Sequence, residues 1–323
     1  MVGPLPGVPL RSTPGSKRFA PPAHFSAEMN YPTVSVITPS YNQGQFIEET
    51  IRSVLGQRYP KLEFSVFDAG STDQTVRVLQ KYSADLTFWR SEKDGGQAAA
   101  INEGFRRATG DILCWLNSDD LHLAHTLSTV AGLLRSFLDL PVVLYGGCEI
   151  FDNRTHRREI RPAVPFSREL LETVDFFDQP SVFWTRKAWE IVGPLDETLS
   201  YGFDWEWLLR AAKLCRFIST DVLLSRYRLH QEHKTGTGGE KRWIELLTIV
   251  RRHSPEAVVS HYEFLLRRDS ARWWLNKRMR LFLALQGPLR AFADPVANLL
   301  SPPFWFLPSG IRRNTLWQIS GIR

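Results

Sequence analysis

The fold is decided by residues 32–57, which read PTVSVITPSYNQGQFIEETIRSVLGQ. The first part of this stretch, 33–38, is a short apolar run rich in β-branched residues, and it predicts a strand that Pro39 ends. The second part, 45–57, predicts a helix, because apolar side chains recur at helical spacing at Ile47, Ile51, Val54 and Leu55. The stretch therefore predicts a strand followed by a helix.

The same alternation continues to residue 116. Further strands are predicted at 62–67, 86–89 and 111–116, and helices at 75–82 and 97–108. Repeated alternation of this kind predicts an α/β fold with a mostly parallel sheet flanked by helices. Ligands of such sheets bind beyond the carboxyl ends of the strands, so the segments that follow the strands should carry the chemistry.

Three polar turns follow the predicted strands: PSYN at 39–42, DAGSTD at 68–73 and NSDD at 117–120. Two adjacent carboxylates in NSDD repel each other unless a cation or several donors hold them, and hard divalent ions prefer such oxygen ligands. An ordinary solvated turn is the alternative. In the second turn, Ser71 or Thr72 could cap the next helix, whereas capping does not explain Asp68.

Beyond residue 141, strands are predicted at 179–184 and 222–229, and a helix at 204–213. Asp204 and Glu206 begin this helix. Carboxylates two residues apart do not share a helix face, so we expect them to do different jobs. The alternative is that both are acids favoured at a helix N-terminus by its dipole.

Composition narrows the class of protein. The chain has 323 residues and a net charge of +6, and this charge favours anionic partners. Its three cysteines do not have the spacing of metal ligands, which favours buried free thiols. Residues 1–31 predict a disordered lead-in without the apolar segment of a signal peptide, and no apolar run is long enough to predict a transmembrane helix.

The C-terminal third is basic and rich in tryptophan. Residues 261–290 carry seven Lys or Arg against two acids, which predicts either a surface helix on an anionic membrane or a helix packed on the domain. Apolar residues at 302–308 favour membrane contact through 261–310. No motif of a nucleic-acid-binding module is present in the sequence. The glycine-rich segment 234–239 lacks the order of a phosphate loop and predicts a lid or a plain flexible loop.

Four segments occur together in a recognisable order: VSVITPSYN at 34–42, DAGSTD at 68–73, DGGQAAAINEG at 94–104 and NSDD at 117–120. This pattern resembles the family 2 glycosyltransferases over residues 33–235. The resemblance implies the GT-A fold, here followed by a helical basic C-terminal extension, and a nucleotide-sugar donor. Asn117 occupies the first acidic position of the family's metal motif, a departure that is common in the family and leaves the last two carboxylates intact.

The resemblance also implies roles for individual residues. The nucleobase is expected at Thr38, Pro39, Tyr41 and Asp68, and the donor's ribose and diphosphate at Asp94, Gly96 and Asn102. Asp119 is expected to contact the donor sugar or ribose, and Asp120 to bind Mn²⁺ or Mg²⁺ together with His230, which fits better than His233. Asp204 is expected to be the catalytic base, and acceptor-binding or supporting roles fall to Glu206 and Gln179.

These expectations define a complete hypothesis. The domains are a lead-in (1–31), a catalytic domain (32–239, with halves 32–120 and 121–239) and a helical extension (240–323). The predicted activity is inverting, metal-dependent transfer from a UDP-linked sugar to a hydroxyl of a glycan or lipid-linked acceptor in cell-surface polysaccharide synthesis. The predicted location is the cytoplasm, with peripheral contact to the inner face of the membrane.

Two alternatives are open. A nucleotidyltransferase on a similar core would have a glycine- and arginine-rich loop after the first strand, where this chain has 38–42. A non-catalytic relic that binds glycans or membranes would not need to keep its functional carboxylates, yet four are present: Asp68, Asp119, Asp120 and Asp204.

Overall fold

The computed structural model describes residues 31–230, 234 and 238–267. Its strands are β1 (Val34–Ser40), β2 (Leu62–Asp68), β3 (Phe88–Ser91), β4 (Ile112–Trp115), β5 (Leu121–His122), β6 (Val142–Asp152), β7 (Arg158–Arg161), β8 (Val182–Thr185) and β9 (Arg216–Leu229). Its helices are α1 (Ile47–Leu55), α2 (Thr75–Lys81), α3 (Gln97–Arg107), α4 (Thr126–Leu134), α5 (Arg168–Leu171), α6 (Arg186–Val192), α7 (Phe203–Ala211), α8 (Gly239–His253) and α9 (256–267).

All the described strands belong to one sheet with the order β3-β2-β1-β4-β8-β6-β9-β5, and β7 pairs with β6. Strands β3, β2, β1 and β4 are parallel to one another, as are β6 and β9. Strand β8 is antiparallel to both β4 and β6, so it joins the two parallel parts of the sheet. The predicted α/β fold with a mostly parallel sheet is confirmed.

Both faces of the sheet are covered by helices, because the side chains of each strand alternate between two hydrophobic clusters. Val34 and Val36 of β1 belong to one cluster, together with buried side chains of α1, α2 and α4. Ile37 belongs to the other, together with side chains of α3, α6, α7 and α8. Because helices cover both faces of the sheet, the polar segments lie at the ends of the strands.

The prediction that Pro39 ends the first strand is wrong, since β1 continues to Ser40. Pairing of β1 with β4 stops at Ile37, whereas pairing with β2 continues through Pro39 to Ser40. Pro39 therefore lies where β1 has a hydrogen-bonding neighbour on one side, a position at which a residue without an N–H is tolerated.

Two later strands also differ from prediction. The strand predicted at 179–184 begins as a 3₁₀ turn, Gln179–Ser181, and only Val182–Thr185 is extended. The turn contains Pro180, which suits the start of a helical turn because it has no N–H to leave unsatisfied. The strand predicted at 222–229 begins earlier, at Arg216, because it pairs with β6 along its length.

Helix α8, at the start of the predicted extension, packs in the same hydrophobic cluster as α7. Its buried side chains include Trp243, Leu246, Ile249 and Val250. None of the helices in the described ranges is both long and apolar enough to cross a membrane. The expectations for 1–30 and for the part of 261–310 after residue 267 lie outside the described residues, as does His233.

Burial of His122 in β5 predicts an acid-sensitive fold. Burial lowers the pKa of His122 to about 3, and the ring packs 5.4 Å from that of Phe183. Unfolded histidine has a pKa of about 6.5, so the unfolded chain binds more protons between these values. The free energy of unfolding should therefore fall with falling pH below about 6.5, by at most about 1.4 kcal/mol per pH unit.

Urea denaturation of the wild type and His122→Leu between pH 7.5 and pH 5 measures this dependence. We expect a shallower pH dependence in His122→Leu, whereas the exposed His156→Asn should keep the wild-type slope. Parallel slopes in the wild type and His122→Leu would contradict the assignment.

Candidate active site

The three polar turns lie at the carboxyl ends of three neighbouring parallel strands, β1, β2 and β4. Asp68, the last residue of β2, is aligned with Ser40 of β1, and the turn at 117–120 follows β4 on the other side of β1. Thr50 of α1 holds this third turn, because its hydroxyl lies 2.9 Å from the carbonyl oxygens of both Ser118 and Asp120. The order of the strands thus brings together segments that are far apart in sequence.

Asp68 is fully buried, and its carboxylate is directed at neighbouring groups. It accepts hydrogen bonds from the backbone N–H of Ser71 at 2.8 Å, from the Ser71 hydroxyl, and from the Ser91 hydroxyl at 2.6 Å. These bonds fix the second turn. The contact of Asp68 with a nucleobase stays a prediction, and it would require some of these bonds to be exchanged.

The other residues expected at the base differ in exposure. Thr38 and Pro39 are buried within β1, whereas Tyr41 is 60% exposed in the turn that follows. Asn42 links this turn to the second one. Its side-chain oxygen accepts a hydrogen bond from Thr72 N at 2.9 Å, and its backbone N–H donates to the Ser71 hydroxyl. Of Thr38, Pro39 and Tyr41, Tyr41 is therefore the best placed to contact a nucleobase.

The segment expected at the ribose and diphosphate begins α3. Asp94 accepts a hydrogen bond of 2.8 Å from the N–H of Gly96 and lies 3.7 Å from the guanidinium of Arg90. Gly96 has φ of +106°, and nothing lies within 4 Å of the position that a Cβ would take. This leaves the start of α3 open to a ligand, as the resemblance implies.

The contact of Asn102 with the ribose or diphosphate, which the resemblance implies, stays a prediction. It is buried, and its amide nitrogen donates to Leu195 O at 3.0 Å and to the Glu197 carboxylate at 2.8 Å. Its amide oxygen accepts from Leu195 N at 2.9 Å. Both amide hydrogens are used to tie α3 to the loop before α7, so Asn102 is a structural residue in this geometry.

Asp120 is buried and faces the backbone of β9. Its carboxylate accepts from Arg228 N at 3.0 Å and from the Asn117 amide at 3.3 Å. Burial and the adjacent negative charge of Asp119 raise the pKa of Asp120. Arg228 also donates to the Asp119 carbonyl at 3.0 Å and pairs with Glu49 of α1. One strand residue thus holds the turn in place.

Asp119, rather than Asp120, lies beside His230. Its carboxylate is 3.0 Å from Nε2 of His230, and its side chain is 21% exposed, against 6% for the histidine. The imidazole packs against the ring of Phe46, with the ring centroids 4.6 Å apart and the ring planes tilted by 48°. This pair offers one oxygen and one nitrogen ligand, of which the carboxylate is partly open to solvent and the imidazole is buried.

Within the described ranges, no cluster of three or more His, Cys, Asp or Glu side chains could hold a metal ion by itself. Two protein ligands still suit Mg²⁺ or Mn²⁺, which are usually bound by one or two carboxylates together with substrate phosphates. A cation would also relieve the repulsion between the adjacent carboxylates of Asp119 and Asp120.

Asn117 belongs to a chain of hydrogen-bonded amides. Its oxygen accepts from Gln97 Nε2 at 2.9 Å, and its nitrogen donates to Gln179 Oε1 at 3.2 Å. Gln97 in turn accepts from Nζ of Lys234 at 2.9 Å. An amide at position 117 can donate and accept at once, which a carboxylate cannot do. The structure places Gln179 beside this turn, and its acceptor-binding or supporting role stays a prediction.

Lys234 also reaches the acceptor side. Its ammonium lies 5.6 Å from the ring of Phe203 and 5.8 Å from that of Tyr201. Burial raises the pKa of Asp204, and the positive charges of Lys234 and Arg242 partly offset this rise. The same side chain therefore lies close to both the turn at 117–120 and the start of α7.

Asp204 lies in the first turn of α7, half-buried, and its carboxylate accepts from Trp205 N at 2.9 Å. Asp175, which sequence reasoning missed, faces it: burial and the charge of Asp204 raise the pKa of Asp175. Asp175 lies in a loop without a periodic pattern, and no local signal identifies it. Arg242, which lies within the helix α8 and outside every motif, was also missed.

Glu206 is committed to internal contacts. Its carboxylate accepts two bonds of 3.0 Å from Nε of Arg210 and lies 3.1 Å from Nε2 of His253. The side chain is buried, and these partners lower its pKa against the effect of burial. This geometry supports the supporting role of Glu206 and leaves its acceptor-binding role without a contact.

Comparison with known proteins agrees with this arrangement. The family model described as glycosyl transferase family 2 matches residues 35–190. An uncharacterised glycosyltransferase of Mycobacterium tuberculosis is 30% identical over 217 residues, which cover 65% of this chain and 78% of that protein. The putative teichuronic acid biosynthesis glycosyltransferase TuaG of Bacillus subtilis is 42% identical over 92 residues, 28% of this chain and 36% of that protein.

Solved structures share the fold. TarS residues 1–349 of S. aureus, in complex with UDP-GlcNAc, has a TM-score of 0.52 at 20% identity, covering 80% of this chain and 76% of that one. The mannosyltransferase PcManGT of Pyrobaculum calidifontis, in complex with GDP-Man and Mn²⁺, has a TM-score of 0.53 at 22% identity, covering 83% and 80%. From its sequence relatives and its fold together, this chain belongs to the family 2 glycosyltransferases.

Proposed function

We propose that this glycosyltransferase transfers a sugar from a UDP-linked donor to a hydroxyl group of a glycan or lipid-linked acceptor, with inversion at the anomeric carbon. The observation that carries the proposal is the position of Lys234, which hydrogen-bonds Gln97 beside the turn at 117–120 and lies against Phe203, next to Asp204. The predicted donor turn and the predicted base are therefore neighbours.

Inverting transfer needs one base on the acceptor side. Asp204 would take the proton of the acceptor hydroxyl as its oxygen attacks the anomeric carbon, while the bond to the donor diphosphate breaks. Burial raises the pKa of Asp204, which makes its carboxylate a stronger base than an exposed aspartate. No other carboxylate of α7 competes for this role, since Glu206 is bound by Arg210 and His253.

Asp119 and His230 are the residues that would hold a divalent metal, with donor phosphates as the remaining ligands. When bound, the metal would neutralise charge on the departing diphosphate. The allocation differs from the resemblance, which places the metal on Asp120, because the Asp120 carboxylate is turned to Arg228 N and Asn117. Asp119 and His230 would bind and orient the donor.

The acceptor is proposed from charge and from similarity. The net charge of +6 suits an anionic acceptor such as a phosphate- or carboxylate-bearing glycan. TuaG, which is 42% identical to this chain over 92 aligned residues, is named for teichuronic acid biosynthesis, and this name supports an acidic acceptor. The nucleobase is proposed as uracil on the basis of the motif at 68–73 alone.

A panel of nucleotide sugars tested by thermal shift, with and without Mn²⁺, examines the proposal. A ligand at 100 times its Kd stabilises the folded state by about 2.7 kcal/mol. We expect UDP-linked sugars with Mn²⁺ to raise Tm and the metal-free samples to show a smaller rise. Stabilisation by GDP-linked sugars instead would overturn the choice of uracil as the nucleobase. If none of the nucleotide sugars stabilises the protein, the proposed donor class is overturned.

The charge of Lys234 near Asp204 predicts the pH dependence of transfer. Asp204 must be deprotonated to act, so kcat should rise with pH through its pKa. The Lys234→Gln change removes a positive charge that lowers the pKa of Asp204, so this pKa should rise. We expect the acid limb of the kcat–pH profile to move to higher pH.

The matched control is Lys187→Gln. It removes the same kind of charge, but from a lysine of α6 that is paired with Glu190 at 2.8 Å. This variant should keep the wild-type profile. A shift to lower pH in Lys234→Gln, or equal shifts in both variants, would contradict the effect of Lys234 on Asp204.

A further inference from the structure

We propose that Glu245 of α8 is a positioning residue for Asp204, an inference that rests on the proposed function. Its two carboxylate oxygens accept three backbone N–H groups from the segment that leads into α7. Oε2 accepts from Ser200 at 2.7 Å, and Oε1 accepts from Tyr201 at 2.5 Å and from Gly202 at 2.7 Å. Hydrogen bonds from backbone N–H groups to a carboxylate are among the stronger ones in proteins.

The start of α7 depends on this external carboxylate. The N-cap residue, Gly202, has no side chain, and no side-chain bond from within the segment caps the helix. Helix N-termini leave N–H groups without partners inside the helix, and a negative charge nearby stabilises them. Glu245 supplies that charge from a different helix, and Asp204 lies two residues beyond Gly202.

The two helices also fit closely enough to fix their relative position. A Cβ on Gly202 would lie 2.6 Å from Cδ1 of Ile249 and 3.3 Å from Cδ2 of Leu246. A Cβ on Gly238 would lie 2.8 Å from the ring of Tyr201. The backbone at 201–202 therefore lies directly on α8, and a displacement of α8 would displace the first turn of α7.

Glu245 is not a second base, because both of its oxygens already accept bonds from backbone N–H groups. Its role is to set the position and direction of the Asp204 carboxylate. A misplacement of about 1 Å can lower a catalytic rate on the order of 100-fold. The family model ends at residue 190, so this contribution comes from a helix well beyond the matched segment.

The test is a double-mutant cycle of Glu245→Gln with Asp204→Asn, measured by transfer to the acceptor. We expect Glu245→Gln to lower kcat by about 10- to 100-fold, with the KM for the donor within about threefold of the wild type. In the Asp204→Asn background the same change should cost less than about threefold, because the residue it positions is already disabled. Equal losses in both backgrounds would overturn the inference.

Arg252→Gln is the matched control. It removes another contact between α8 and the segment before α7, the 2.8 Å ion pair with Asp196, without touching residues 200–202. We expect it to keep kcat. If Glu245→Gln fails to fold, Glu245→Asp takes its place. This variant keeps the charge, so it should fold and show an intermediate kcat. A wild-type kcat in Glu245→Asp together with a lost kcat in Arg252→Gln would overturn the inference.

The outcomes separate this inference from the proposed function. Full activity in Asp204→Asn would remove the proposed base, whatever Glu245 does. Inactivity of Asp204→Asn, together with wild-type kcat in a folded Glu245→Gln, would leave the base in place and overturn only the positioning role.

Discussion

Replacing Asp204 with Asn is expected to lower kcat for sugar transfer by about 100- to 10,000-fold, the usual contribution of a general base. The amide has nearly the shape of the carboxylate and can still accept the bond from Trp205 N, so the helix should be undisturbed. It cannot take a proton at neutral pH. Donor binding should persist, because the donor turns lie at the ends of β1, β2 and β4.

The measurement combines a transfer assay with thermal shift by the donor and Mn²⁺. Glu206→Gln is the matched control on the same helix, two residues away. It should lower Tm, because the buried Arg210 and His253 contacts are weakened, yet keep transfer per folded molecule close to wild type. Loss of transfer in Glu206→Gln and its retention in Asp204→Asn would exchange the two roles.

The second large effect is expected at Asp119. Asp119→Asn removes the carboxylate beside His230, and we expect transfer to fall by about 100- to 1,000-fold, as when a residue that stabilises charge in a reaction is removed. The additional stabilisation that Mn²⁺ gives to the donor-bound protein should disappear. The metal-independent part of donor binding should remain.

Asp120→Asn distinguishes the two carboxylates. An amide at position 120 can still accept the bond from Arg228 N, and burial already disfavours a charge there, so we expect the Mn²⁺ dependence to persist. Thermal shift at increasing Mn²⁺ concentrations in both variants decides the matter. Loss of the metal response in Asp120→Asn alone would restore the allocation that the resemblance implies.

Local patterns sufficed for much of the fold and for the place of the site. The strand–helix alternation from 33 to 116 predicted the order of β1 to β4 and of α1 to α3, because periodicity is a property of neighbouring residues. The rule that ligands bind at the carboxyl ends of parallel strands then predicted which segments should carry the chemistry. Pro39 was misjudged because its tolerance depends on where β4 ends.

The directions of the polar side chains could not be predicted in the same way. Asn102 binds residues 195 and 197, and Asp120 binds residue 228, partners that only the folded chain brings near. The resemblance assigned roles by position in a motif, whereas the choice of partner by each amide or carboxylate depends on tertiary packing. Asp175 and Glu245 lie outside every motif, so only the structure identifies them.

Arg228 has a consequence for the order in which the molecule assembles. It joins the turn at 117–120 to a strand 108 residues further along the chain, and it also pairs with Glu49 near the beginning. Contacts between residues so distant in sequence form late in folding, because a long loop must close first. The early strands and helices can therefore collapse while the turn still lacks its final shape. We therefore expect the turn at 117–120 to reach its final shape last, when β9 enters the sheet.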